Sequence, residues 1–88
     1  MTVREREVAG EIRRLAQEDL RVEGPFDDGE ELATRLDSLL LLALVTAVED
    51  HFRVILSEED AATTRSLADL ARLVVRKQAE AVNPGDAP

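Results

Sequence analysis

Cysteine, tryptophan and tyrosine are absent from the 88-residue sequence, and phenylalanine occurs only twice. Without a thiol there is no disulfide, no thiolate metal site and no cysteine nucleophile, which suits a reducing compartment. With so few rings the core must be aliphatic, and the abundance of Ala, Leu, Glu and Arg favours helices over strands. One histidine, His51, has no Cys or spaced partner with which to bind a metal, and it reads as a surface residue. No apolar run approaches the ~20 residues needed to span a bilayer. The start, Met1-Thr2-Val3-Arg4-Glu5-Arg6-Glu7, lacks the apolar stretch of a signal peptide. The expectation is a soluble cytoplasmic protein without membrane contact. A chain of this length buries only about 60–65% of the surface its unfolded form exposes, so a large active-site cavity is not expected.

What is present is acid, and it is concentrated. The net charge is −8, and residues 21–60 carry three basic and eleven acidic side chains, which accounts for the whole excess. Such a field repels nucleic acid and attracts basic protein surfaces. Solubility alone would also use such charge, so the charge by itself does not decide between the two.

Within that segment lies the stretch around which the chain is organised, Leu36-Asp37-Ser38 through Phe52. Leu41, Leu44, Val45, Val48 and Phe52 recur at three- and four-residue intervals, which predicts a helix with one apolar face. Asp37-Ser38 falls at its start, where unpaired N–H groups and the positive end of the helix dipole would favour a phosphate on the Ser38 hydroxyl. A helix from Thr2 to Glu18 precedes it, with Val3, Val8, Ile12 and Leu15 facing inwards. The turn signals Gly24-Pro25 and Asp27-Asp28-Gly29 predict a long connection from Leu20 to Leu36, pinned by Phe26 and Leu32. After Phe52, Arg53–Leu56 reads as a loop burying Leu56, because Val54-Ile55 has no second strand to pair with. Ser57 caps a short helix to about Ala62, which Thr63-Thr64-Arg65 breaks. Ser66 caps the last helix, with Leu67, Leu70, Ala71, Val74 and Val75 facing inwards. Residues 1–82 form one domain, and 83–88 read as a disordered tail.

Leu36-Asp37-Ser38-Leu39, Leu44-Val45, Ala47-Val48-Glu49 and Phe52, with Leu56, Thr63-Thr64, Leu67 and Leu70 at their later spacings, resemble an acyl carrier protein over about residues 31–75. The resemblance implies an all-α fold: a four-helix bundle with a long loop between its first two helices. It implies that Ser38, flanked by Asp37 and Leu39, receives 4'-phosphopantetheine from coenzyme A through a phosphopantetheinyl transferase. The arm's thiol would then hold an acyl or aminoacyl group as a thioester, placed there by a loading enzyme and passed to synthase or tailoring enzymes. Residues 32–39 are most similar to discrete carriers of polyketide and mixed nonribosomal peptide–polyketide pathways. The chain departs from fatty-acid carriers at Leu40 and Ala43, where acids are usual, and at Arg35, where glycine is common.

Partner docking is expected at Leu40 and Leu42 beside Ser38 and at Glu49, Asp50, Glu58, Glu59 and Asp60, in a monomer. A run of acids also reads as a solvated face, and four consecutive leucines, Leu39–Leu42, cannot all point the same way on a helix. A hydrolytic triad of Ser38, His51 and Asp37 is excluded by geometry. Thirteen positions on one helix separate Ser38 from His51 by roughly 20 Å. With no nucleophile elbow and no phosphate-binding glycine loop, the chain is expected to carry substrate rather than to catalyse. The alternative is a helical module of the same fold that is never modified and acts only in protein–protein interaction.

Overall fold

The structure, a computed structural model, describes residues 1–23 and 26–82, the side chains of 81 and 82 excepted. The Gly24-Pro25 turn and the expected tail at 83–88 lie outside the described residues. Among the described residues five α-helices follow one another: α1 (Val3–Arg14), α2 (Leu32–Arg35), α3 (Ser38–Phe52), α4 (Glu58–Thr63) and α5 (Leu67–Val82). Among the described residues there is no strand, only a single backbone bridge between Glu31 and Ser66. The bundle expected from the sequence consists of α1, α3, α4 and α5, with α2 a single turn inside the long connection.

Three of these helices begin in the same way. Thr2 caps α1, Ser57 caps α4 and Ser66 precedes α5, and each hydroxyl accepts the N–H of the residue three ahead. The acids at those positions, Glu5, Asp60 and Asp69, accept the cap residue's N–H in return. The reciprocal pair satisfies two N–H groups that the helix cannot.

α1 does not stop at Arg14. It widens into a π-helical turn over Leu15–Asp19, closed by Leu20 N–H to Leu15 O at 3.3 Å. The helical run therefore ends within a residue of the expected boundary. Val8, Ala9, Ile12 and Ala16 form its inner face. Val3, expected there, is 72% exposed. Five positions at 100° each turn it about 140° away from Val8, too far to share the stripe.

α5 packs along α1 with a broad apolar face of Leu67, Ala68, Leu70, Ala71, Leu73 and Val74. α3 contributes Leu44, Val48 and Phe52, while Leu41 and Val45 are half-buried at the edge. Full burial of an aliphatic side chain such as Ile12 or Leu70 stabilises the fold by about 2 kcal/mol. No buried polar side chain interrupts this core among the described residues.

The long connection is fastened at several points. Phe26 and Leu32 are buried, as expected, and so is Leu36. Leu32 N–H donates to Arg65 O at 2.7 Å, and Ala68 N–H donates to Asp28 O at 2.9 Å. These two bonds join the connection to the start of α5. The turn α2 was not expected from the sequence; four residues are too few to be helical on propensity alone, and burial of Leu32 and Leu36 at a spacing of four supplies the reason.

The connection after α3 places its anchors differently from the expectation. Val54 is buried, Leu56 is half-buried and Ile55 is 84% exposed. Arg53 ends α3 in the left-handed conformation at φ 58°, its N–H donating to Glu49 O. That reversal turns Val54 inwards and leaves Ile55 in solvent.

Candidate functional site

α3 begins where Asp37-Ser38 marked a helix start. Leu36 is extended and buried, Asp37 is the N-cap, and Ser38 is the first helical residue. Asp37 accepts the Leu40 N–H on Oδ1 at 2.8 Å, which holds the helix start in place. Ser38 itself is exposed, and no described residue makes a hydrogen bond with its hydroxyl.

The N-terminus of α3 differs from those of α1, α4 and α5. Those three carry acids in the first turn, and α3 carries none. Leu40 occupies the position that Glu5, Asp60 and Asp69 hold in the other three, so the carboxylate at this helix end is that of the Asp37 cap. A helix N-terminus favours an anion through its unpaired N–H groups and its dipole. At α1, α4 and α5 a carboxylate of the chain already answers that field. At α3 only the Asp37 cap does, and the Ser38 hydroxyl projects beside it with room for a large group. The residues present therefore fit a phosphate ester at Ser38.

The expected docking residues separate into two sets. Leu39 is 79% exposed and Leu42 is 63% exposed, one turn apart beside Ser38. Leu40 is half-buried and packs against the core, as does Leu41. Helical rotation thus puts two of the four leucines in water and turns two toward the core.

Asp50, Glu58 and Glu59 are exposed. Glu49 and Asp60, the other two acids expected to dock partners, are engaged within the fold. Glu49 accepts the Leu56 N–H at 2.8 Å and ties the α3–α4 connection to α3. Asp60 accepts the Ser57 N–H at 3.0 Å and pairs with Lys77 at 3.0 Å. The Ser57 N–H first, and Lys77 after it, hold its carboxyl at about 2, below the usual 3.8. The sequence carried one sign of this: Ser57-x-x-Asp60 is a capping-box spacing. Nothing local showed that Lys77 would reach it.

His51 lies near the far end of α3 from Ser38, 3.6 Å from a Glu11 carboxylate oxygen and edge-on to Phe52. It bridges α3 to α1 and is remote from the serine. Among the described residues no group of three His, Cys, Asp or Glu side chains could hold a metal ion.

An apolar cleft of about 30 Å³ lies between α3, α4 and α5, lined by Leu41, Val45, Leu56, Ala61, Leu70 and Leu73 among others. That is room for about one water molecule. Leu44 and Val48 are fully buried and do not line it.

The family model described as phosphopantetheine attachment site matches residues 10–74 of this chain. The chain belongs to that family. It is therefore a carrier and not an enzyme, and 4'-phosphopantetheine is its covalently held group. Carriers of this family work with a phosphopantetheinyl transferase and with synthase enzymes. The fold is similar to the crystal structure of an acyl carrier protein from Thermotoga maritima, with a TM-score of 0.79 and 21% identity over 89% of this chain and 94% of that one. A search of curated protein sequences finds no match. No helix among the described residues of this carrier is long and apolar enough to cross a membrane.

Proposed function

We propose that Ser38 is the attachment residue, within a carrier unit formed by residues 1–82. The observation that carries this reading is the start of α3: an exposed serine with an unengaged hydroxyl, on a first turn that holds no acid. In the reaction, a bond forms between Ser38 Oγ and the phosphorus bearing pantetheine as the pyrophosphate bond of coenzyme A breaks. The hydroxyl proton passes to a base on the transferase, and the adenosine bisphosphate leaves. Asp37 holds the helix start, and Leu39 and Leu42 form the apolar contact beside the serine, with Asp50, Glu58 and Glu59 as the acids that meet basic partner surfaces.

The cargo would be an acyl or aminoacyl thioester of polyketide or mixed peptide–polyketide biosynthesis, held by a monomer in the cytoplasm. The similarity of residues 32–39 to such carriers supports this, together with the exposed Leu42 one turn beyond Ser38. A more apolar docking face suits a small dedicated set of enzymes. The arm keeps the thioester at high local concentration for each of them in turn.

Intact mass after incubation with coenzyme A, Mg²⁺ and a promiscuous transferase tests the attachment site. One phosphopantetheine on the parent chain and none on Ser38→Ala is the expected result. Modification that persists in Ser38→Ala would move the site elsewhere. No addition at all, while a control carrier is modified, would mean an unmodified binding module.

A further inference from the structure

Arg35 lies three residues before Ser38 and is the only basic residue between Arg21 and Arg53. Its side chain is drawn inwards rather than offered to solvent. The guanidinium stacks over the Phe26 ring, 5.1 Å from its centroid. Nη1 pairs with Glu30 at 3.2 Å, and Nη2 donates to the Glu23 carbonyl. One cation thus gathers three separate points of the long connection onto α2.

α2 has little else of its own. It is four residues long, and its N-cap Glu31 makes no side-chain capping bond. Leu36 and Asp37, both extended, are all that separates α2 from Ser38. On the other side Arg13 fastens the same stretch to α1: its Nε donates to Phe26 O at 2.8 Å and its guanidinium pairs with Asp28. Besides its buried Phe26, Leu32 and Leu36 and its two backbone bonds to the start of α5, the surface next to Ser38 is therefore fastened by two arginines, of which Arg35 is the nearer.

We propose that Arg35 is a positioning residue for the attachment reaction, acting by holding Phe26, Glu30 and the residues up to Leu36 in the shape the transferase binds. The proposal rests on Ser38 being the attachment residue. It separates two roles at the start of α3. Asp37 holds the helix end and with it the serine, whereas Arg35 holds the neighbouring surface. Loss of Arg35 therefore acts on binding of the carrier and leaves the chemical step alone.

The test is steady-state transfer from saturating coenzyme A with the carrier as the varied substrate, at a temperature where circular dichroism shows each variant folded. Arg35→Gly is expected to raise KM about tenfold, the ordering cost that a lost stacking contact and ion pair pass to the partner, with kcat within about twofold. Amides of residues 26–36 should exchange faster in the same variant. Arg35→Lys keeps the charge on Glu30 without the flat stack on Phe26, and it should recover part of the KM. Should Arg35→Gly fail to fold, Glu30→Gln takes its place with a smaller rise in KM. A folded Arg35→Gly or Glu30→Gln with wild-type KM overturns the proposal. A wild-type chain left unmodified beside a modified control carrier instead overturns the Ser38 reading, and this one with it.

Discussion

The α1–α5 pair and the two connections flanking α3 are held by different means. α1 and α5 face each other through Val8, Ile12, Leu70, Ala71 and Val74, with no polar group buried between them. The two connections add to a few buried pins, Phe26, Leu32 and Leu36 before α3 and Val54 after it, a set of single polar bonds: Arg13 and Arg35 on one side, Glu49 and the Ser57–Asp60–Lys77 group on the other. α4 buries no residue at all. Apolar packing is non-directional and collective, so the helix pair fails as a whole. A polar anchor is local, so each connection can loosen while the bundle stays folded. The part that presents Ser38 is thus adjustable, and the part that supports it is not.

The largest expected effect would come from breaking the rigid side. Ile12→Ala should cost about 3 kcal/mol, a large share of the stability of so small a domain. The check is the midpoint of chemical denaturation, which should fall for every probe together.

On the adjustable side, Glu49→Ala leaves the Leu56 N–H without its partner at a cost of about 1–2 kcal/mol. Here hydrogen exchange should quicken over residues 54–64 while α1 and α5 keep their protection. Uniform loss of protection would erase the distinction between the two regions.

Acid should sharpen the same contrast. The Asp60 carboxyl titrates at about 2 in the fold against an ordinary 3.8, first because of the Ser57 N–H and then Lys77. Because the folded value is the lower one, this contribution is complete above pH 3.8 and is lost as the pH falls toward 2. Carbon NMR of the Asp60 carboxyl should show the low midpoint, and Lys77→Gln should raise it. α4 should lose exchange protection in that window before α5 does.

The smallest effect on stability belongs to the exposed leucines. Leu42→Ser should change stability by less than about 0.5 kcal/mol, since the side chain is mostly in water. Phosphopantetheine transfer should nevertheless slow. Unchanged transfer would remove Leu42 from the docking face.

Much of this division was legible in the residues. The aliphatic repeats at Leu44, Val48 and Phe52 and at Leu67, Leu70, Ala71 and Val74 announced the inner faces of α3 and α5, because burial repeats with the helical period. Asp37-Ser38 marked a helix start, and the turn chemistry marked the long connection. The same periodicity misplaces Val3, which stands about 140° around the helix from Val8, and gives no sign of Ala9, Ala16 and Val54. Small residues carry weak apolar signals, and Val54 faces inwards only because Arg53 reverses the chain.

The site divides in the same way. The sequence by itself determined the helices, the aliphatic core, the acidic field and the serine at a helix start, since each depends on residue type and on spacing within a few positions. Tertiary structure decided what the local cap did not, because Lys77 reaches Asp60 from another helix. It also decided that Arg35, conspicuous in sequence only as a lone cation among acids, reaches Glu23, Phe26 and Glu30. Such partners lie far apart along the chain or in a connection without periodicity, and only the folded path brings them within reach of one another.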